Sequence, residues 1–186
     1  MKGFPVLTTP RLILRALGMK DVPRLLALFR DPEVSRYLSR DMSKLTVKDE
    51  RKFIRRTRKG FEAGSDLHWG ICEKDTGALI GGIGVSGIHR GHQSAMAGFW
   101  LGREYWGRGY MTEALGAVLS HCFNEMKLNR VWAGHFAGNP ASGRVQQKCG
   151  LRYEGTHRQQ FCREGRFMDS LTYAILREDF ANSDTV

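Results

Sequence analysis

The 186 residues lack several features, and each gap removes a class of function. No apolar run approaches the roughly 18 residues that a membrane-spanning helix needs. The stretch Met1-Lys2-Gly3-Phe4-Pro5-Val6-Leu7-Thr8 has too short an apolar core for a signal peptide. A cytoplasmic protein without membrane attachment is therefore expected. The four cysteines, Cys72, Cys122, Cys149 and Cys162, include no Cys-x-x-Cys pair, which argues against a zinc ribbon or a dithiol redox motif; they read as buried free thiols. The histidines include no pair four residues apart on a helical stretch, and the nearest pair, His89 and His92, falls in a glycine-rich turn, so no metal is expected. Repeats and low-complexity segments are missing too, and no shift of composition divides the chain. With 41% hydrophobic and 26% charged residues, positions 1–186 read as a single globular domain with a full core.

Positive charge, by contrast, is abundant. The formal net charge is +10, and residues 1–66 hold sixteen Lys and Arg against eight Asp and Glu, whereas the remainder holds thirteen against eleven. Much of the excess lies in a helix expected over 46–62, where Lys48, Arg51, Lys52, Arg55, Arg56, Arg58 and Lys59 surround a narrow stripe of Val47, Ile54 and Phe61. Such a helix is either a solvated face, supported by Glu50 near Arg58, or a docking face for something acidic, such as ribosomal RNA or an acidic peptide.

Hydrophobic periodicity orders the rest of the chain. Thr9 to Arg15 reads as a strand entered through Pro10, and Asp21 begins a helix carrying Val22, Leu25, Leu26 and Phe29. Asp31 to Leu38 reads as a short helical turn. Leu67 to Glu73 and Ala78 to Val85 form a hairpin about Lys74-Asp75-Thr76-Gly77. A polar loop over His89 to Ser94 leads to a central strand, Met96 to Arg103, interrupted by Gly98 and Gly102. A helix over Tyr110 to Met126, a strand over Arg130 to Phe136, and a closing hairpin of Arg152 to Cys162 with Phe167 to Leu176 complete the order.

Two stretches carry chemistry. In the first, Phe99, Trp100 and Leu101 end the central strand, Gly107 and Gly109 make a loop with little side-chain bulk, and a helix follows. The first N–H groups of a helix have no partner inside it and carry the positive end of its dipole, so this strand, glycine turn and helix form a cradle for a phosphate group. Arg108 adds a formal charge. A dinucleotide fingerprint would need a third glycine where Thr112 stands, and a nucleotide P-loop would need Lys-Ser or Lys-Thr after its glycines; neither is present. In the second stretch, Asn139 caps a helix starting at Pro140, and Gly150 ends it.

The run Trp106-Gly107-Arg108-Gly109-Tyr110-Met111-Thr112-Glu113-Ala114 resembles motif A of the GNAT superfamily of acyl-CoA-dependent N-acyltransferases, in the form found in the RimJ/RimL ribosomal-protein N-acetyltransferase branch. The run from Asn139 through Ser142, Arg144, Lys148 and Gly150 to Leu151 resembles a second segment of the same superfamily. The likeness extends from about Thr8 to Phe180. It departs at Met111, where a small residue is usual, and at Leu151, where phenylalanine is usual; Trp106 is a common variant in this branch. The resemblance implies an α/β (α+β) fold: a mixed, mostly antiparallel sheet of about seven strands flanked by about four helices, with a splayed central strand.

The same resemblance implies that acetyl-CoA is the cosubstrate. Its pyrophosphate would lie against Trp106, Gly107, Arg108, Gly109, Tyr110, Met111 and Thr112, and its pantetheine along the free edge of Phe99, Trp100 and Leu101, with Asn139 beside it. Ser142 would stand near the sulfur as a general acid, although Asn139 and Ser142 also fit a plain helix cap and a small packing residue. Glu104 is the candidate base, acting through water; it also fits an exposed residue that pairs with an arginine. Glu113 reads as structural, and His135 as either facing the cleft or packed. Residues 31–38, with Tyr37 and Leu38, and the helix after them would wall the acceptor site. The expected activity is acetyl transfer to a primary amine, foremost a protein or peptide N-terminus, by direct transfer through a ternary complex in a monomer or homodimer. The alternatives are acetylation of a small amine, such as a polyamine or an antibiotic, and a non-catalytic module that binds CoA or RNA.

Overall fold

In a computed structural model, which describes residues 3–38 and 41–183, strands and helices follow in the order β1 (Leu7–Thr8), β2 (Leu12–Ala16), α1 (Val22–Phe29), α2 (Pro32–Ser35), α3 (Val47–Ala63), β3 (Leu67–Glu73), β4 (Leu79–His89), β5 (Ser94–Leu101), α4 (Tyr110–Ser120), β6 (Arg130–Phe136), α5 (Pro140–Lys148), β7 (Arg152–Arg163), β8 (Arg166–Leu176) and α6 (Arg177–Ser183). The strands make one eight-stranded sheet in the order β1-β2-β3-β4-β5-β6-β8-β7. Every pairing is antiparallel except β5 with β6. Among the described residues, no helix is long and apolar enough to cross a membrane.

Period-two alternation sends neighbouring side chains to opposite faces of the sheet. Trp69, Ile71 and Leu101 pack with Ala114, Leu115, Val118 and Leu119 of α4, while Cys72, Leu79 and Trp100 pack with Val22, Leu25 and Phe29 of α1 and Ile54 of α3. At about 1.5–3 kcal/mol for each fully buried Leu, Ile or Val, these two faces outweigh any single helix cap, worth about 1 kcal/mol. The caps fix boundaries instead. The Thr46 hydroxyl accepts from the Asp49 N–H while the Asp49 carboxylate accepts from the Thr46 N–H at 2.9 Å, which starts α3.

The sheet has one strand more than expected. β1 is only two residues long, too short for alternation to register, and α6 is mostly polar, so no apolar period announces it. β4 runs to His89 and β5 starts at Ser94, so both ends of the expected polar loop, the exposed His89 and the half-buried Ser94, belong to the sheet. The helix expected to reach Met126 widens after Ser120 into a π-helical turn over His121–Glu125, with the Met126 N–H reaching back to the His121 carbonyl. Two of the four cysteines are buried, but Cys149 is half-buried and Cys162 exposed, because β7 is an edge strand whose residues are largely open to solvent.

Close packing of β4 on β5 is a condition of this sheet. A Cβ on Gly81 would stand 2.4 Å from the Trp100 carbonyl oxygen, a backbone atom that cannot swing away, whereas a Cβ on Gly116 in α4 meets nothing within 4 Å. Gly81→Ala should lower unfolding free energy by about 1–3 kcal/mol or more, and Gly116→Ala should raise it by about 0.5–1 kcal/mol. Urea denaturation of both variants checks the pair.

Candidate active site

The parallel pairing of β5 with β6 runs only from Ser94↔Arg130 to Ala97↔Ala133, although both strands continue beyond it. Past that point β5 stays bonded to β4 alone. The Gly102 N–H donates to the Ile80 carbonyl, and the Trp100 carbonyl faces Gly81, so the even-numbered residues here direct their backbone groups to β4. By alternation, Phe99 and Leu101 direct theirs into the gap. The Leu101 carbonyl accepts from the Trp106 indole N–H at 2.9 Å, which ties the following loop to the strand end. The peptide N–H of Phe99 is left facing the gap.

Gly107 (φ 74°) and Gly109 (φ 78°) both adopt the left-handed conformation that L side chains rarely take. Nothing lies within 4 Å of a Cβ at Gly107, so the backbone angle rather than crowding calls for glycine there. The first turn of α4 closes with the Glu113 N–H on the Gly109 carbonyl at 3.1 Å, and no side chain caps the helix. The N–H groups of Tyr110, Met111 and Thr112 therefore have no partner within the helix. The loop is braced from both sides. The Tyr110 hydroxyl donates to Glu73 at 2.7 Å, a bond that raises the phenol and lowers the carboxyl relative to their ordinary values. On the other side Glu113 accepts from Thr9 Oγ1 at 2.6 Å and from Arg11 Nε at 2.7 Å.

On the opposite wall α5 begins with Asn139 Oδ1 accepting from the Ser142 N–H at 3.2 Å. The Ser142 hydroxyl accepts from the Nε2 of Gln146 at 3.3 Å, and Gln146 is fully buried. A third wall comes from Val34, Tyr37 and Leu38, fastened to the distant hairpin by the Arg163 guanidinium, which donates to the Ser35 carbonyl at 2.7 Å and the Leu38 carbonyl at 3.3 Å. These walls enclose a cleft of about 420 Å³. A second cavity of about 510 Å³, lined by Phe136, Phe167 and Asp169 among others, shares Tyr37 with it.

The structure brings Phe99, Trp100, Leu101, Trp106, Gly107, Gly109, Tyr110, Met111, Thr112, Asn139 and Ser142 to the lining of this cleft. Arg108 is not in the lining; its side chain is exposed and lies over the Tyr105 ring. Glu104 is not in the lining either. Its carboxylate is 2.9 Å from Arg24, whose guanidinium also donates to the Tyr105 hydroxyl, so the residue pairs with an arginine rather than facing the reaction space. His135 lies beneath α5, with its ring stacked on Tyr173 and its Nε2 2.8 Å from where a Gly143 Cβ would be. Sequence reading misses Arg11, Gln146, and the two cations Arg144 and Lys148, which line the cleft. The last two stand four apart in the second motif and are legible as one helix face; Arg11 lies about a hundred residues from its partners and gives no local signal. Among the described residues lining the cleft there is no carboxylate and no imidazole. Burial pushes the Cys149 thiol up to about 11 and the Cys122 thiol up to about 12, which makes neither a nucleophile near neutral pH.

Residues 11–152 match the family model described as the acetyltransferase (GNAT) domain. The chain belongs to the GNAT acetyltransferase family. The N-acetyltransferase YoaA of Bacillus subtilis is 32% identical to this GNAT protein over 174 residues, 94% of this chain and 98% of YoaA. The [ribosomal protein uS5]-alanine N-acetyltransferase of Escherichia coli is 25% identical over 118 residues, 63% of this chain and 61% of that one. Among solved structures, RimL, the ribosomal L7/L12 alpha-N-protein acetyltransferase in complex with coenzyme A, superposes with a TM-score of 0.85 at 21% identity, covering 92% of this chain and 98% of that one. The relatives of this GNAT protein thus include ribosomal-protein N-acetyltransferases, as its motifs lead one to expect.

The brace at Glu113 has a pH signature. Burial alone would push its carboxyl up; the hydrogen bonds from Thr9 and Arg11 outweigh that and hold it below its ordinary 4.5. The stability it supplies is present above that ordinary value and is lost as pH falls through the lowered one. Asp21, pushed up by burial but brought down further by Arg15 and the Gly18 N–H, shifts with the same sign. Chemical denaturation across acid pH should show stability falling in that range, and Glu113→Gln should shrink the acid limb without removing it.

Proposed function

We propose that this GNAT acetyltransferase moves an acetyl group from acetyl-CoA directly to the N-terminal amine of a protein or peptide within a ternary complex. The observation that carries the reading is the meeting, on one cleft, of an open strand edge at Phe99 and the uncapped start of α4, with cations and no anion in the lining. A diphosphate fits the helix start, where the dipole and free N–H groups favour negative charge. Pantetheine fits the strand edge, which offers amide hydrogen bonds as a further strand would.

In the transfer, the amine lone pair attacks the thioester carbonyl carbon, charge gathers on the oxygen, the C–S bond breaks, and the sulfur takes a proton. The Phe99 N–H faces the gap where that oxygen would sit. Ser142 would supply the proton: Gln146 donates to its oxygen and so leaves its hydrogen free to point into the cleft. The amine loses its own proton to water, and water returns a proton to the Ser142 oxygen, so the hydroxyl ends the cycle as it began. A cleft lined without carboxylate or imidazole suits an amine that is readily neutral. An N-terminal amine, with an ordinary pKa of about 7.7–8.0, meets that condition, whereas a lysine-like amine near about 10.4 does not. A chain of net charge +10 also repels a polyamine.

Thiol release from acetyl-CoA should therefore be strong with peptides bearing a free N-terminus, weak with polyamines, and absent with N-blocked peptides. Preference for polyamines would overturn the choice of acceptor, and no thiol release with any amine would favour a non-catalytic CoA-binding role. Ser142→Ala should lower kcat about 10- to 100-fold; unchanged turnover would remove Ser142 from the chemistry.

The acceptor is further read as acidic. Lys48, Arg51, Lys52, Arg55, Arg56, Arg58 and Lys59 are all exposed along α3, and Arg58 pairs with Glu62 at 3.1 Å. Reversing the charge at Arg55 and Arg56 together should raise KM for an acidic peptide several-fold, as expected for lost steering, with kcat preserved. Equal effects on a neutral peptide would show that α3 does not select by charge.

A further inference from the structure

We propose that Arg11 is a positioning residue for donor binding: it locks the plane of the Arg108–Gly109 peptide so that the Gly109 N–H faces the cleft. The inference rests on the reading of that cleft as the acetyl-CoA site. A peptide unit is planar and trans, so its carbonyl and its N–H point in opposite directions. The Arg108 carbonyl accepts from Arg11 Nη1 at 2.9 Å, which holds the oxygen on the Arg11 side. The Gly109 N–H then points the other way, and Gly109 lines the cleft. The residues on either side of Arg108 are both glycines at positive φ, so side-chain bulk does little to stop this peptide from turning over. Turned over, it would present a carbonyl oxygen to the diphosphate in place of a donor.

Arg11 is itself held in a way that leaves it little choice of geometry. Its Nε and Nη2 reach Glu113 Oε2 at 2.7 and 2.6 Å, and its main-chain N–H reaches Glu113 Oε1 at 2.9 Å. Thr9 Oγ1 donates to that same Oε1 at 2.6 Å, and the guanidinium lies 4.6 Å from the centre of the Tyr110 ring. One planar fork therefore bridges the glycine loop and the first turn of α4, which no single ammonium group reproduces. Its positive charge is matched by Glu113, and the side chain is about half exposed. Orientation of the loop, rather than added charge on the phosphate, is what the arrangement supplies.

Comparing acetyl-CoA with S-acetylpantetheine, a donor without the diphosphate, isolates that effect. The wild type should favour acetyl-CoA. In both Arg11→Lys and Arg11→Gln, the ratio of kcat/KM for acetyl-CoA to kcat/KM for S-acetylpantetheine should fall about 10- to 100-fold, the equivalent of one or two charged hydrogen bonds, chiefly through KM for acetyl-CoA. Equal losses on the two donors would make Arg11 a residue of the fold alone and overturn the proposal, as would a full wild-type ratio in Arg11→Lys, which keeps the charge but not the fork. If the Arg11 variants do not fold, Glu113→Gln, which loosens the same fork, should show the same donor-selective fall, and an unchanged ratio there would count equally against it. A wild type indifferent to the diphosphate would overturn the reading of the cleft itself; a wild-type preference that survives every substitution would overturn only the role of Arg11.

Discussion

The hydrogen bonds that β5 ceases to make with β6 after Ala97 govern the rest of this molecule. A parallel pair left unfinished inside a sheet exposes backbone donors and acceptors that would ordinarily cost about 1–3 kcal/mol each if buried without partners. The fold tolerates the gap because it opens to solvent as a cleft, and because β4 on one side and β8 on the other hold the two strands at full length. The opening is thus made by well-supported strands rather than by loops, which keeps its edges fixed relative to one another.

The two helices beside the gap begin in different ways, and the contrast follows from sequence. α5 starts with Asn139 and Pro140, a capped and self-sufficient terminus. α4 starts with Gly109 and no cap, leaving its first N–H groups to an outside partner. Two termini of opposite character on one cleft divide the labour. The uncapped one leaves donors open on the cleft, as the proposed diphosphate site requires, while the capped one carries Ser142 on a turn backed by the buried Gln146 amide.

Much of this is legible in the amino-acid sequence. The strand Arg130–Phe136 can be read to the residue, and Pro140, Gly107 and Gly109 mark their turns because proline and glycine act locally, through φ. β1 and α6 are not legible, since two residues cannot show a period and a mostly polar heptapeptide has none to show. The placement of the glycine loop at the cleft likewise follows from local pattern. What local pattern cannot reveal are contacts across the chain. Arg11 meets Arg108 97 residues away. Gln146 reads from sequence as one more polar helix residue, although it is fully buried. Glu104 reads either as a base acting through water or as the partner of an arginine, and only the contact with Arg24, 80 residues earlier in the chain, decides for the second.

The span of Arg163 ties one wall of the cleft to a distant part of the chain. The residues that line the cleft on the β5, α4 and α5 side all fall within residues 11–152, the portion that matches the family model. The wall formed by Val34, Tyr37 and Leu38 is pinned instead by a guanidinium from beyond that portion, 128 residues after the Ser35 carbonyl it grips. On the proposed reading, a change in the terminal hairpin would therefore shift the acceptor side of the cleft and leave the glycine loop where it is.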